Sequence, residues 1–306
     1  MRYDADETPD PYALTAADDL VISWQISLRA AKKSPPTIRT YCKNVRLYLA
    51  WCREADATPN LGHLAVTAYL ADVCDTRSGQ TARNHLVALR SFARWAAKEN
   101  ETGPYDLAEI DQPKVDQHVT EPFTPDELGA LLKACAGKRF MDVRDTAIQH
   151  ILLDSGGRAM EIVGMQLEDV RLADGLALVR GKGAKDRYIP LSDRTCEALD
   201  KYLRVRRRHP QAHLAQLWLG EKGRAYGYHG MYRSLKARGE MAGVANVYPH
   251  RYRHTFADRW LDKGGTEGGL MRIAGWSDPA MVQRYSQARA TRRALTEARR
   301  LNVGEL

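Results

Sequence analysis

A histidine and an arginine three residues apart, His250 and Arg253, sit in the stretch YPHRYRHTFADRW. Pro249 suits a first helical position, so the spacing predicts a helix on which both side chains project from one face. A titratable base and a permanent cation then point into one place. Downstream, a Gly275-Trp276 turn precedes Ser277-Asp278-Pro279, a cap-and-proline start for a short helical run that ends at Tyr285. A phenol therefore rides on a short, separately hinged element. Upstream, Arg158 follows Gly156 and Gly157 at the head of another predicted helix, where it can be brought close to a ligand. Lys182 stands between glycines in Gly181-Lys182-Gly183-Ala184-Lys185, the turn joining two predicted strands, GLALVR and DRYIPL. That turn is no P-loop, because G-x-x-x-x-G-K-[ST] is absent and no helix follows the lysine.

Taken singly, each of these residues also has an ordinary structural reading. With 46 Lys and Arg in 306 residues, nine histidines give about one His-x-x-basic pair by chance. Trp276 alone fits a core or elbow residue, Tyr285 a half-buried anchor, and a hairpin lysine a solvated one. Their order and joint spacing set them apart.

The elements that must carry them belong to a chain of ordinary globular composition, 44% hydrophobic and 27% charged, long enough for two domains. No run approaches about 18 apolar residues, and the acidic start MRYDADETPDPYALTAADD is unlike a signal peptide, so a cytoplasmic chain is expected, with no membrane partner. The five cysteines, Cys42, Cys52, Cys74, Cys135 and Cys196, lack any C-x-x-C pair and suggest neither a disulfide framework nor a zinc site. A net charge of +8 suggests a polyanionic partner. The excess lies in the body of the chain, in runs such as KYLRVRRRH from Lys201 to His209, though a solvated helix face accounts for any one run.

Residues 1–11 read as a loose leader and 12–100 as a helical domain. Ser34-Pro35-Pro36 opens a helix whose apolar positions Ile38, Tyr41, Val45, Leu49 and Cys52 recur at three and four, while its other face carries Arg39, Lys43, Asn44 and Arg46. A second helix from about Gly79 buries Leu86, Leu89, Phe92 and Trp95 and presents Arg83, Asn84, His85, Arg90 and Arg94. Arg39, Lys43, Arg46, Arg83, Arg90 and Arg94 are the candidate DNA-binding residues, set on short helices suited to lie along a phosphate backbone. Residues 101–121 read as a linker. The second domain, 122–306, begins with a capping box at Thr124-Pro125-Asp126-Glu127, continues through an apolar helix at Ala147, Ile148, Ile151 and Leu152, and ends in a tail, 288–306. The expected fold class is mainly α with a small β-hairpin or sheet.

The ordered set Arg158, Lys182, His250, Arg253, Trp276 and Tyr285 resembles the tyrosine recombinase, or phage integrase, family over about residues 12–290. The family's Gly-Leu-Arg-x-x-Glu is matched by Gly156-Gly157-Arg158-Ala159-Met160-Glu161, its Gly-Lys-Gly-x-Lys by Gly181 to Lys185, and its His-x-x-Arg-His-Thr by His250 to Thr255, with Tyr285 nine residues beyond Trp276. Gly275-Trp276 replaces the commoner Gly-His. The resemblance implies a two-domain DNA clamp, an N-terminal SAM-like core-binding domain plus a catalytic domain, acting as a homotetramer on two synapsed double-stranded core sites, with strands exchanged through a Holliday junction and with room for accessory DNA-bending proteins.

Chemistry agrees with those roles. Charge grows on the non-bridging oxygens of a phosphodiester in its pentacoordinate transition state, and the paired donors of Arg158 and Arg253 suit it. A tyrosine with a pKa of ~10 needs a base, for which His250 is the candidate. The departing 5′-oxygen needs a proton, which Lys182 on its hairpin can give. Trp276 can offer an indole N–H but cannot shuttle a proton, and Glu161, one turn after Arg158, reads as an orienter of the cations, with a surface role as the alternative. No metal and no cofactor is expected, since acidic residues do not cluster near the set, and a covalent 3′-phosphotyrosyl bond conserves the energy needed to reseal without ATP. A type IB topoisomerase and a catalytically silent DNA-binding regulator remain as alternatives.

Overall fold

A computed structural model describes residues 10–115, 120–181, 186–221 and 226–283, with the isolated positions Ala294, Glu297, Arg300 and Leu301. The chain divides into two compact units, Met1–His118 and Val119–Leu306.

In the first unit α1 (Ala17–Ala30), α2 (Pro35–Glu54), α3 (His63–Thr76) and α4 (Gly79–Lys98) enclose one core. The starts of α2 and α4 are local chemistry: the Ser34 and Ser78 hydroxyls accept the Thr37 and Thr81 backbone N–H groups, a cap contributing about 1 kcal/mol. Ile38, Val45, Leu49 and Cys52 of α2 and Leu86, Leu89 and Phe92 of α4 are buried as their spacing requires, and Trp24 of α1 lies 5.1 Å from Phe92, centroid to centroid. Each such side chain contributes about 1.5–3 kcal/mol through burial. Three polar residues depart from the expected outer faces. Asn44 turns inward and donates to the Asn84 carbonyl oxygen, and His85 is buried with a 2.7 Å hydrogen bond to the Tyr69 hydroxyl. Arg90 donates to the carbonyl oxygens of Leu107, Ala108 and Ile110. Its guanidinium is thereby engaged by the chain's own backbone. Leu107 and Ile110 are themselves buried in this core, so the segment read as linker is folded onto the first unit at those positions. Residues 1–9 of the expected leader lie outside the described residues.

The second unit begins at α5 (Pro125–Lys133), where Thr124 and Glu127 form the expected capping box. The long α6 (Phe140–Ser155) runs through its core, followed by the short α7 (Ala159–Val163), a three-stranded antiparallel sheet and α8 (Asp193–Arg206). The sheet pairs β1 (Val170–Arg171), β2 (Leu176–Val179) and β3 (Arg187–Pro190) in that order, with Val170 opposite Ala177 and Ala177 opposite Ile189. The predicted hairpin is β2–β3. The two-residue β1 was missed because it is too short to show alternation. Then come α9 (Tyr228–Ala242), α10 (Pro249–Asp262) and α11 (Glu267–Ala274).

One face of α10 is spent on anchorage. The Tyr252 hydroxyl donates to Gln149 Oε1 of α6 at 3.0 Å, Thr255 Oγ1 accepts the Phe123 N–H at 2.8 Å, and the Arg251 guanidinium lies 4.0 Å over the Phe123 ring while pairing with Glu127. The neighbouring face, with His250 and Arg253, is left for chemistry. Arg238 of α9 reaches Asp142 and Asp145 of α6, both at 2.9 Å, and Asp145 also takes Arg144 at 2.8 Å. With all these side chains buried, loss of one partner would cost about 3–5 kcal/mol. The basic run after Lys201 is not simply solvated: Arg206 is buried and donates to the carbonyl oxygens of Ala212, Leu214, Gln216 and Leu217. Among the described residues no helix is long and apolar enough to cross a membrane.

Candidate active site

A close approach of backbone and side chain brings α6, α7 and α10 together. Gly156 ends α6 at φ +53°, and a Cβ there would stand 2.3 Å from Phe256 Cδ1, so only glycine meets both the left-handed conformation and the packing. Two residues on, Arg158 caps α7. Its backbone N–H donates to Glu161 Oε2 and its Nη1 to Glu161 Oε1, each at 2.9 Å, while Nη2 donates to the Gly275 carbonyl oxygen at 3.1 Å. Half of the Arg158 side chain, 52%, stays exposed.

Arg253 is held differently. It is 3% exposed, donates Nη1 to the Gly156 carbonyl oxygen and lies 4.9 Å from the Trp276 ring centroid. A guanidinium over an indole face gains about 1–2 kcal/mol when desolvated, so Trp276, itself 7% exposed, packs against and orients the cation beside it. The Trp276 backbone follows Gly275, whose φ of +66° turns the chain out of α11.

His250 opens α10 right after Pro249, as the spacing predicts. Its ring is exposed at the cleft mouth and meets the His254 ring edge-on, centroids 4.5 Å apart. Burial of its inner side, and then the Arg253 charge, hold its basicity below the usual imidazole value. His254 is pushed down to about 4 by burial, His250 and Arg253. Both shifts favour the neutral ring near pH 7, the form in which an imidazole can accept a proton.

Arg158, His250, Arg253 and Trp276 line a common cleft of about 270 Å³, with Tyr228 and Met281 also on its wall. The structure thus gathers four of the six predicted catalytic residues. Lys182 and Tyr285 lie outside the described residues. Gly181 and Asp186 bracket the lysine, and a helical turn at 280–283, begun by Asp278 Oδ1 accepting the Ala280 N–H, leads toward the tyrosine. The cap expected across Ser277, Asp278 and Pro279 is supplied by Asp278. Glu161, expected to orient the cations, has a side chain 6% exposed and pairs with Arg158 and also with Arg187 at 2.8 Å. Burial opposes its ionisation, but the Arg187 bond and the Arg158 backbone donor outweigh that and lower its pKa. Arg187 and Tyr228 escaped the sequence reading. Nothing local marks either, one being a strand arginine and the other the first residue of a helix.

Known proteins place this arrangement. The profile of the Phage integrase family matches residues 121–292, more than half of the chain. The chain belongs to the phage integrase family. The profile of the phage integrase N-terminal SAM-like domain also matches residues 21–100. Among relatives of this integrase-family chain, tyrosine recombinase XerD of Lacticaseibacillus casei is 28% identical over 255 residues, 81% of this chain and 86% of the relative. Tyrosine recombinase XerC of Pelobacter propionicus is 28% identical over 258 residues, 83% and 85% of the two chains. In fold it is similar to the XerH site-specific recombinase bound to palindromic difH substrate in a post-cleavage complex, with TM-score 0.72 and 20% identity over 85% of this chain and 79% of that one. It is also similar to a lambda integrase dimer bound to a COC′ core site, with TM-score 0.70 and 15% identity over 89% and 77%. The phage integrase member described here is accordingly a site-specific tyrosine recombinase, an enzyme that breaks and rejoins DNA.

Proposed function

We propose that this recombinase cuts DNA by in-line attack of Tyr285 on a phosphodiester held in the cleft between Arg158 and Arg253, leaving a 3′-phosphotyrosyl bond. The reading is carried by the convergence of those two guanidiniums with His250 on one small cleft. Arg253, fixed by Gly156 and Trp276, supplies charge without reorganisation, and Arg158, half exposed, can close its fork on a non-bridging oxygen. His250 removes the phenol proton. Lys182 protonates the departing 5′-oxygen. Charge compensation comes from the chain's own cations, so neither metal nor ATP has a role, and a second transesterification reseals the strand.

Because His250 must be neutral to act, cleavage should hold through neutral pH and fall on acidification, with its midpoint below the ordinary imidazole value of ~6.5. The direction follows from the lowered basicity: protonation sets in at more acid pH than in a free imidazole. Single-turnover adduct formation against pH should show this limb. Its persistence in His250→Gln would assign it elsewhere.

The partner is double-stranded DNA, with phosphate contacts proposed from Arg39, Lys43, Arg46 and Arg94, all exposed on α2 and α4, and from the half-exposed Arg83. On two synapsed core sites four copies exchange strands through a Holliday junction. The tail after Tyr285 is the proposed link between copies. Leu301 there is helical and 56% exposed, whereas Leu295, Ala298 and Val303 lie outside the described residues. A short amphipathic segment needs a surface for its apolar side, and a head-to-tail contact with the next copy closes a ring. Deletion from Arg292 onward should leave single-site binding within about threefold and reduce recombination at least about a hundredfold. Normal recombination by the truncated chain would refute docking in trans. The function itself is tested by two-site recombination against supercoil relaxation: relaxation of one duplex without exchange would favour a topoisomerase, and neither activity a silent regulator.

A further inference from the structure

We infer that Arg187 is a positioning residue that, through Glu161, aims Arg158 into the cleft and at the same time fixes the turn from which Trp276 and the nucleophile segment depart. The inference rests on the function proposed above and concerns a residue outside its catalytic set.

Arg187 is the first residue of β3, five positions after Lys182 in the chain. Its side chain is 12% exposed and uses its fork in two directions. Nη2 donates to Glu161 Oε2 at 2.8 Å, and Nε donates to the Ile273 carbonyl oxygen at 2.7 Å. That carbonyl belongs to the last turn of α11, where backbone acceptors have no helical partner and a cation is favoured. The same guanidinium packs on Gly275: a Cβ there would come within 2.8 Å of Arg187 Nη1. One planar group thus joins the hairpin, the acid that caps α7, and the C-terminus of α11.

Arg158 depends on this arrangement. Glu161 is buried and takes three donors: the Arg158 backbone N–H, Arg158 Nη1 and Arg187 Nη2. Because Arg187 occupies one oxygen, Arg158 meets Glu161 through Nη1 alone and keeps Nη2 for the Gly275 carbonyl. A buried carboxylate deprived of Arg187 would retain a single counter-charge, and the nearest way to satisfy it is to draw both Arg158 nitrogens onto itself. That rotation pulls the fork away from a phosphate and breaks its bond to Gly275. The carbonyl of Ile273 would lose its donor too, loosening the turn ahead of Trp276.

The test is the rate of covalent adduct formation on a nicked duplex, with DNA affinity measured in parallel, for the unaltered chain, Arg187→Gln, Glu161→Gln and the double variant. Arg187→Gln should slow adduct formation about thirtyfold or more, as loss of a supporting partner commonly does, with Kd within about threefold. The double variant should be no slower than the slower single one, since both changes break the same link. A substrate with sulfur as leaving atom should not rescue Arg187→Gln, because a thiolate relieves only the proton donor. Multiplying losses, sulfur rescue, a loss of affinity equal to the loss of rate, or an unchanged rate would each overturn the inference. Should Arg187→Gln not fold by thermal unfolding, Arg187→Lys serves: an ammonium cannot reach Glu161 and Ile273 together in the plane of a fork, so at least about a fivefold loss is expected, and no loss refutes it. If the unaltered chain forms no adduct, the proposed function fails. A normal rate in Arg187→Gln defeats this inference alone.

Discussion

Tyr285→Phe is expected to bind DNA as the unaltered chain does and to form no covalent adduct. The change removes one oxygen and leaves the ring, so packing and charge are preserved while the only proposed nucleophile is lost. Loss of a nucleophile in an intact site costs about 10⁴-fold or more, since positioning and charge stabilisation alone leave little turnover. A mobility shift reads binding, and a denaturation-resistant protein–DNA band reads the adduct. A band of normal intensity from Tyr285→Phe would overturn the assignment.

Lys182→Ala should lose about 10²–10⁴-fold in cleavage of ordinary DNA and recover most of that on a duplex whose 5′-bridging oxygen is replaced by sulfur. An alkoxide must be protonated as it leaves, whereas a thiol with a pKa near ~8.5 departs as the thiolate. Arg158 and Arg253 are intact in this variant, so clamping of the phosphate is unchanged. Failure of sulfur to rescue the rate would make Lys182 a further clamp for the phosphate and return the search for the acid to other groups at the cleft.

Much of this was readable in the chain because its signals are local. Ser34, Ser78 and Thr124 cap helices through residues three positions on, and Pro249 starts the helix that presents His250 and Arg253. The glycines at 156 and 275 mark left-handed helix ends that the site requires. What stayed hidden depends on distant partners. His85 looks like a surface histidine until Tyr69 takes it into the core, and Arg90 like a solvated cation until the chain returns at Leu107. Arg187 finds its partners 26 and 86 residues away, at Glu161 and Ile273, with no motif to join them. Periodicity assigns a face to a residue. It cannot tell which polar side chains at the edge of that face will be drawn inward.

Tyr228 also lines the cleft, so the position of the adduct is the sharpest test of the central claim. The recombinase should be trapped on a nicked duplex, digested after arginine and lysine, and the DNA-linked peptide mapped by mass. The expected result is a 3′-phosphate ester on the peptide between Arg284 and Arg289, which contains Tyr285. An adduct on Tyr228, or one joined through the 5′-phosphate, would contradict it.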